Sequence, residues 1–272
     1  YNKYVYIFTT SMNNFLKYIE KNKISWNRRT RIHIDSDFYN NEFFKQKQSS
    51  LKSIEIEEIG NINNKELLHL QCHFGQDSIS LARKGANVTA VDFSKNAIQH
   101  AKKMAQELET SINFIEEDVL QLNLRKEFDI IFTSYGVIGW LPDLDQWANI
   151  IAQHLKKGGL FLLTEFHPFI ALLDNTQYDY FYKESPDQEK QYGSYTDGGE
   201  NILIEDCWWN HSLTEIFSSL ESNGLKLKSF KEFDYSPYLL KGMVEREEGR
   251  YVLEERKNPR LPYVFSLQAT KK

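Results

Sequence analysis

Cysteine is nearly missing from this chain: Cys72 and Cys207 stand alone among 272 residues. Two isolated cysteines build neither a disulfide framework nor a zinc site, so no metal is expected, and a reducing, cytoplasmic setting is. Long apolar runs are missing too. None approaches the roughly 20 residues that span a bilayer. Tyr4–Phe8 is too short for a signal-peptide core and has no small-residue cleavage pattern behind it. The chain opens on Tyr1, and Met12 stands as the alternative natural start. Positive charge is in deficit: 33 Lys and Arg face 38 Asp and Glu, a net charge of −5. The basic face of a nucleic-acid binder is therefore not indicated, and neither nucleic acid nor membrane is expected as a partner. The short run Arg28, Arg29 and Arg31 reads as solvated surface.

What the chain has in quantity is aromatic residues, 14% of the total with 15 Tyr and 18 Phe. They serve either a Phe-rich core or the lining of a ligand pocket. The length suits one domain with embellishments or two small ones.

The first 60 residues read as helical. Phe15, Leu16 and Ile19 sit at helical spacing, and Ser25-Trp26-Asn27 interrupts the pattern. A second helix over about 43–59 places Leu51, Ile54, Ile56 and Ile59 on one side and ends at Gly60. From Glu66 the pattern becomes strand–helix alternation. Strands are predicted at Leu67–Leu70, Val88–Asp92, Ile112–Ile115, Phe128–Thr133 and Leu160–Phe166. Ser94 and Asp143 open helices between them, and Gly158-Gly159 closes the second of these. Such alternation predicts a parallel sheet with helices on both faces. It pauses from His167 to about Asn210, a stretch long enough to be a lid and rich in Tyr and Trp. Ser212-x-x-Glu215 reads as a capping box. Leu225–Phe233 and Tyr263–Thr270 then form an antiparallel pair at the sheet edge, joined by a polar connection without a helix.

The chemistry-bearing residues gather at one rim of this sheet. The first strand turns through Leu70-Gln71-Cys72-His73-Phe74-Gly75. Nucleotides dock at such turns, but a pyrophosphate cradle wants G-x-G-x-x-G. Gln71 and His73 add bulk there, which disfavours a nicotinamide dinucleotide and leaves room for a cofactor without phosphates. Asp92 ends the second strand, where a carboxylate can accept from both ribose hydroxyls of an adenosine. Asp118 follows the third strand, placed to accept from an adenine amino group, with the Val119 backbone reading the ring. Ser134-Tyr135-Gly136 follows the fourth strand.

Residues 60–170 resemble the class I S-adenosylmethionine-dependent methyltransferases. The resemblance rests on Leu67–Gly75, Val91-Asp92, Glu117-Asp118-Val119, Phe128–Ile131 and Leu155–Gly159. It implies an α/β, Rossmann-like, doubly wound seven-stranded sheet with an antiparallel last strand, and S-adenosyl-L-methionine as cofactor. Residues 1–60 would be a helical extension or lid, and 61–272 the methyltransferase domain with an insertion at 168–210. The family usually has an acidic residue where this chain has His69, and glycines where it has Gln71 and His73. The implied cofactor contacts are Trp26 from the lid and His69, Gln71, Gly75 and Asp77 around the first turn. Asp92, Phe93, Asp118, Val119 and Ser134 complete them. Tyr135, Glu165 and His167 are the candidate bases. The acceptor is expected to be a small molecule, because the turn after the fourth strand lacks the Asn/Asp-Pro-Pro-Tyr/Phe sequence of base-methylating enzymes. A non-catalytic adenosine-ligand binder on the same fold is the alternative.

Overall fold

The computed structural model describes residues 2–46, 49–174, 178–256 and 260–272. The side chains of Tyr4–Phe8 and Met12 lie outside the described residues.

At the centre is a seven-stranded sheet in the order β3-β2-β1-β4-β5-β11-β8. β1 (Glu66–Leu70), β2 (Asn87–Asp92), β3 (Asn113–Glu116), β4 (Phe128–Ser134) and β5 (Leu155–Phe166) run parallel. β11 (Val264–Lys271) runs antiparallel between β5 and β8 (Leu225–Phe233). The predicted edge pair is therefore present, as the reversed end of the main sheet. Strand order reverses between β1 and β4, the position at which open α/β sheets bind ligands.

Both faces of the sheet are covered, which explains why β1 reads as a nearly continuous apolar run. Leu67, Ile130 and Leu162 pack under α4 (Gln76–Arg83) and α5 (Lys95–Glu107). Leu68, Ile131 and Leu163 pack under α6 (Leu144–His154) and α8 (Leu213–Ser222), with Trp147 fully buried among them. The helix starts read from sequence have the geometry of real caps. Ser94, Asp143 and Ser212 each accept an N–H from three residues on, satisfying donors a helix start leaves open.

Several elements differ from the sequence reading. α1 (Asn2–Ile34) is one unbroken helix through Ser25-Trp26-Asn27. Those polar residues are interface groups, so they do not end it. Ser25 Oγ donates to Asp206 (2.6 Å), and Asn27 Oδ1 accepts from Ser94 Oγ and the Asn96 amide (both 3.0 Å). The segment over 43–59 contains two short helices, α2 (Asn41–Gln46) and α3 (Ser53–Ile59). The inward face of α3 is not the predicted one: Ile56 is 40% exposed, whereas Glu55 and Glu58 are buried with Ile54 and Ile59. α6 ends at His154, before Gly158-Gly159, because the His154 ring bonds the Ile150 carbonyl and accepts the Leu124 amide. The glycines lie inside β5.

The expected lid stretch contains α7 (Pro168–Asp174) and a hairpin of β6 (Asp187–Tyr192) with β7 (Leu203–Trp208). The polar connection after β8 contains a second hairpin, β9 (Met243–Glu247) with β10 (Arg250–Leu253). α1 lies along β7. The Asn22 amide closes both hydrogen bonds with the Cys207 backbone (2.7 and 2.8 Å), as a neighbouring strand would. Arg29 is not solvated surface. It is 3% exposed and grips Asp206 with two bonds of 2.6 and 2.5 Å. No helix among the described residues is long and apolar enough to cross a membrane.

Removing one partner of a buried ion pair strands the other charge at about 3–5 kcal/mol. Asp206→Ala is expected to speed hydrogen–deuterium exchange over 2–34 and 187–208 by at least about 100-fold, with the central sheet unchanged. Mass spectrometry of peptic fragments measures it.

Candidate active site

The turn after β1 keeps a glycine-like backbone without the glycines. Gln71 (φ 54°), His73 (φ 50°) and Gly75 (φ 86°) are all left-handed, a region that costs a residue with a side chain about 1–2 kcal/mol. The turn is held from several directions. The His73 amide donates to Asp92 Oδ2 (2.8 Å), the Cys72 amide to the Val91 carbonyl (2.9 Å), and Gln71 Nε2 to the Val137 carbonyl (2.9 Å). Asp92 also accepts from the Ser94 amide (2.8 Å), and its carbonyl takes the Glu117 amide (3.1 Å). The carboxyl ends of β1, β2, β3 and β4 are thereby joined around one rim. Burial pushes the Asp92 carboxyl up to about 6 against the two amides that hold it down.

α1 covers this rim. Trp26 stands edge-on between His73 (5.4 Å between ring centres) and Trp140 (5.3 Å), with the Arg29 guanidinium over both indoles. Thr30 Oγ1 lies 3.3 Å from Ser94 Oγ. His33 Nδ1 meets His73 Nε2 at 3.3 Å. Burial, reinforced by neighbouring positive charge, pushes His33 down to about 2 and His73 to about 3, so both rings are neutral here. Phe93 is half-buried beside Asp92. The Asp118 carboxylate caps its own turn, accepting from the Leu120 amide (3.0 Å), and Val119 behind it is buried.

Three expectations are corrected. His69 is 2% exposed, bonds Ser78 Oγ through Nδ1 (2.8 Å) and packs on Phe132, so it braces the turn from beneath and presents no surface to a ligand. Glu165 is no base. Its buried carboxylate takes the amides of Gly136, Val137 (2.8 Å), Ile138 (3.1 Å) and Phe166 (2.7 Å), and so staples the loop after β4. His167 is turned away, bonding Glu232 at 3.1 Å and accepting the Phe169 amide at the start of α7.

Tyr135, Ser134 and Asp77 do come together. Asp77 accepts from Ser50 Oγ (2.5 Å) and Ser134 Oγ (3.4 Å), and Tyr135 donates to Glu55 Oε2 (3.2 Å). Glu55, 1% exposed, is a site residue that sequence reasoning missed. Its burial, with the Asp77 charge nearby, pushes its carboxyl up to about 7. Tyr39 and Tyr238 join the same group and were missed as well, together with Tyr195 from the aromatic-rich lid stretch; the Tyr39 and Tyr195 hydroxyls meet at 2.5 Å. The only sequence-level signal was a carboxylate at i+1 and i+4 of an otherwise apolar inward face.

A family model described as a methyltransferase domain matches residues 67–159, which spans the turn, Asp92 and the Glu165-stapled loop. That stretch of the chain is thus similar to methyltransferase domains. Over 103 residues it is 28% identical to a ubiquinone biosynthesis O-methyltransferase of Rickettsia canadensis, covering 38% of this chain and 43% of that one. Over 120 residues it is 34% identical to the protein of that description from Coxiella burnetii, covering 43% and 51%. The chain thus spans about half the length, or less, of these curated relatives. The chain also shares its fold with solved structures. An S-adenosylmethionine-dependent methyltransferase from Clostridium acetobutylicum superposes with a TM-score of 0.56 at 17% identity, covering 88% of this chain and 93% of that one. One from Methanosarcina mazei gives 0.55 at 18%, covering 81% and 98%.

Two outcomes test this geometry. A Cβ at Gly75 would meet the Phe114 ring at 2.9 Å and the Ala101 methyl at 3.0 Å on a left-handed backbone. Gly75→Ala is therefore expected to lower unfolding free energy by about 1–3 kcal/mol in urea titrations. The second is Glu55→Gln. A carboxyl raised in the folded state from 4.5 to about 7 keeps a proton the unfolded chain has released. The wild type then loses stability as pH rises through that window. Relative to Glu55→Gln, the loss is expected to total about 3 kcal/mol and level off above pH 7, read from urea melts between pH 4.5 and 8.

Proposed function

We propose that this chain is an S-adenosylmethionine-dependent methyltransferase acting on a small molecule. The observation that carries the reading is the joining of the first turn, Asp92 and the Glu117-Asp118 turn by backbone hydrogen bonds at the strand-order switch. The residues fit the cofactor. Each Asp92 oxygen accepts one amide and keeps a lone pair for a ribose hydroxyl. Gln71 Oε1 is buried without a partner, an acceptor suited to the amino group of the methionine end. Asp118 and the Val119 backbone are assigned to the adenine, and Gly75 to close backbone approach.

The cofactor supplies a methyl carbon already activated on a sulfonium. The chain's own part is alignment, an effect worth up to about 7–11 kcal/mol, and exclusion of water by Trp26 and the rest of α1. Ser134 and Tyr135 stand at the β4 rim, where the methyl would be presented. Domain limits of 1–60, for the extension, and 61–272, with the insertion at 168–210, belong to this reading. So does a cytoplasmic location, which suits the two free, buried cysteines.

Calorimetry with S-adenosylhomocysteine tests the proposal. Hydrogen bonds to a charged group are worth about 1.5–3 kcal/mol, so Asp92→Ala is expected to weaken binding about 10- to 150-fold. Folded wild-type protein that binds no S-adenosylhomocysteine would overturn the assignment.

A further inference from the structure

Beside the Tyr135 rim lies a group of side chains that the cofactor reading does not use. Most are aromatic: Tyr135 and Tyr238 meet edge-on at 5.2 Å, Phe166 closes on both (5.6 and 6.4 Å), and Phe38 stacks on Tyr238 at 6.0 Å. Phe38 in turn touches Tyr39 and Tyr195 (5.1 and 5.6 Å). Except for Tyr195, which is half exposed at the mouth, these rings are only partly buried.

Two carboxylates serve this group. Glu55 Oε2 is taken by the Tyr135 hydroxyl; the Lys52 and Glu55 backbone amides lie near the carboxyl, but Oε1 is buried without a well-formed hydrogen bond. A buried acceptor left open costs about 1–3 kcal/mol, more when charged, and such an atom calls for a donor. Asp77 stands close enough for its charge to act on Glu55, Tyr39, Tyr135 and Tyr238 alike. The nearby cations are already engaged. Arg29 is paired with Asp206, and Lys231 with Glu58. The Lys52 ammonium sits over the Tyr238 ring at 4.6 Å, the contact that a cation makes with the negative face of an aromatic ring.

We propose that this group takes a cationic amine as the methyl acceptor, with its ammonium held between the tyrosine rings and the Glu55 and Asp77 carboxylates. The proposal rests on the methyltransferase reading and adds the acceptor class to it. Glu55 Oε1 receives one proton from the ammonium, and that proton later passes to water. The freed nitrogen lone pair forms the new N–C bond while the methyl carbon–sulfur bond breaks, its electron pair staying on sulfur. The positive charge lost from the sulfonium reappears on the methylated nitrogen.

The test compares choline with its uncharged carbon isostere, 3,3-dimethyl-1-butanol, by calorimetry on the full chain, with S-adenosylhomocysteine titrated separately. Choline is expected to bind at least tenfold tighter than the isostere. Glu55→Gln is expected to reduce that ratio at least threefold while S-adenosylhomocysteine affinity stays within twofold. Equal binding of the two probes, tighter binding of benzoate than of choline, or an unchanged ratio in the Glu55→Gln variant would overturn the amine assignment. Discrimination that persists in a protein unable to bind S-adenosylhomocysteine would leave the cation site standing and remove the methyltransferase reading instead.

Discussion

The hydrogen bond from the His73 amide to Asp92 fixes more of this molecule than any other single contact. The turn after β1 enters the left-handed region three times, and at Gln71 and His73 it does so with full side chains. Such a path persists only where its surroundings over-determine it. Asp92 anchors it to β2, the Gln71 amide ties it to the loop after β4, and rings from α1 and from Tyr39 press on His73. Because the Asp92 carbonyl also takes the Glu117 amide, four strand ends move as one body.

Two buried glutamates show how donor supply decides what a carboxylate does. Glu165 and Glu55 are about equally sealed from water, and burial raises both. Glu165 has four amides around it and is consumed by the loop it organises. Glu55 has one hydroxyl and an oxygen to spare. Position at a strand end pointed to the first; the count of bonds points to the second.

The central fold was legible because its signals are local. Apolar runs such as Phe128–Thr133 have no other use than a doubly covered strand, and Ser94, Asp143 and Ser212 announce helices by chemistry that acts over three residues. The cofactor rim was legible in outline, since Asp92 and Asp118 sit where strand endings are plain. What escaped depends on contacts between distant parts of the chain. Ser25, Asn27 and Arg29 look like a break and a wet surface until β7 and α5 are placed against them, some 180 and 70 residues away. Glu55 sits in a run, Glu55-Ile56-Glu57-Glu58, that resembles any solvated helix face. Only the packed structure shows that Glu55 and Glu58 of that run are buried, and that Glu55 meets the Tyr135 hydroxyl.

The clamp between α1 and the β6–β7 hairpin carries a kinetic consequence. Trp26, Asn27 and Thr30 lie across the turn and the start of α5, and Arg29 with Asn22 locks that helix to β7. On the proposed reading, a cofactor seated on the turn lies beneath α1 and leaves when that clamp opens. Its residence time is then governed by how often the protein unlatches, and two ligands of quite different affinity would depart at similar rates.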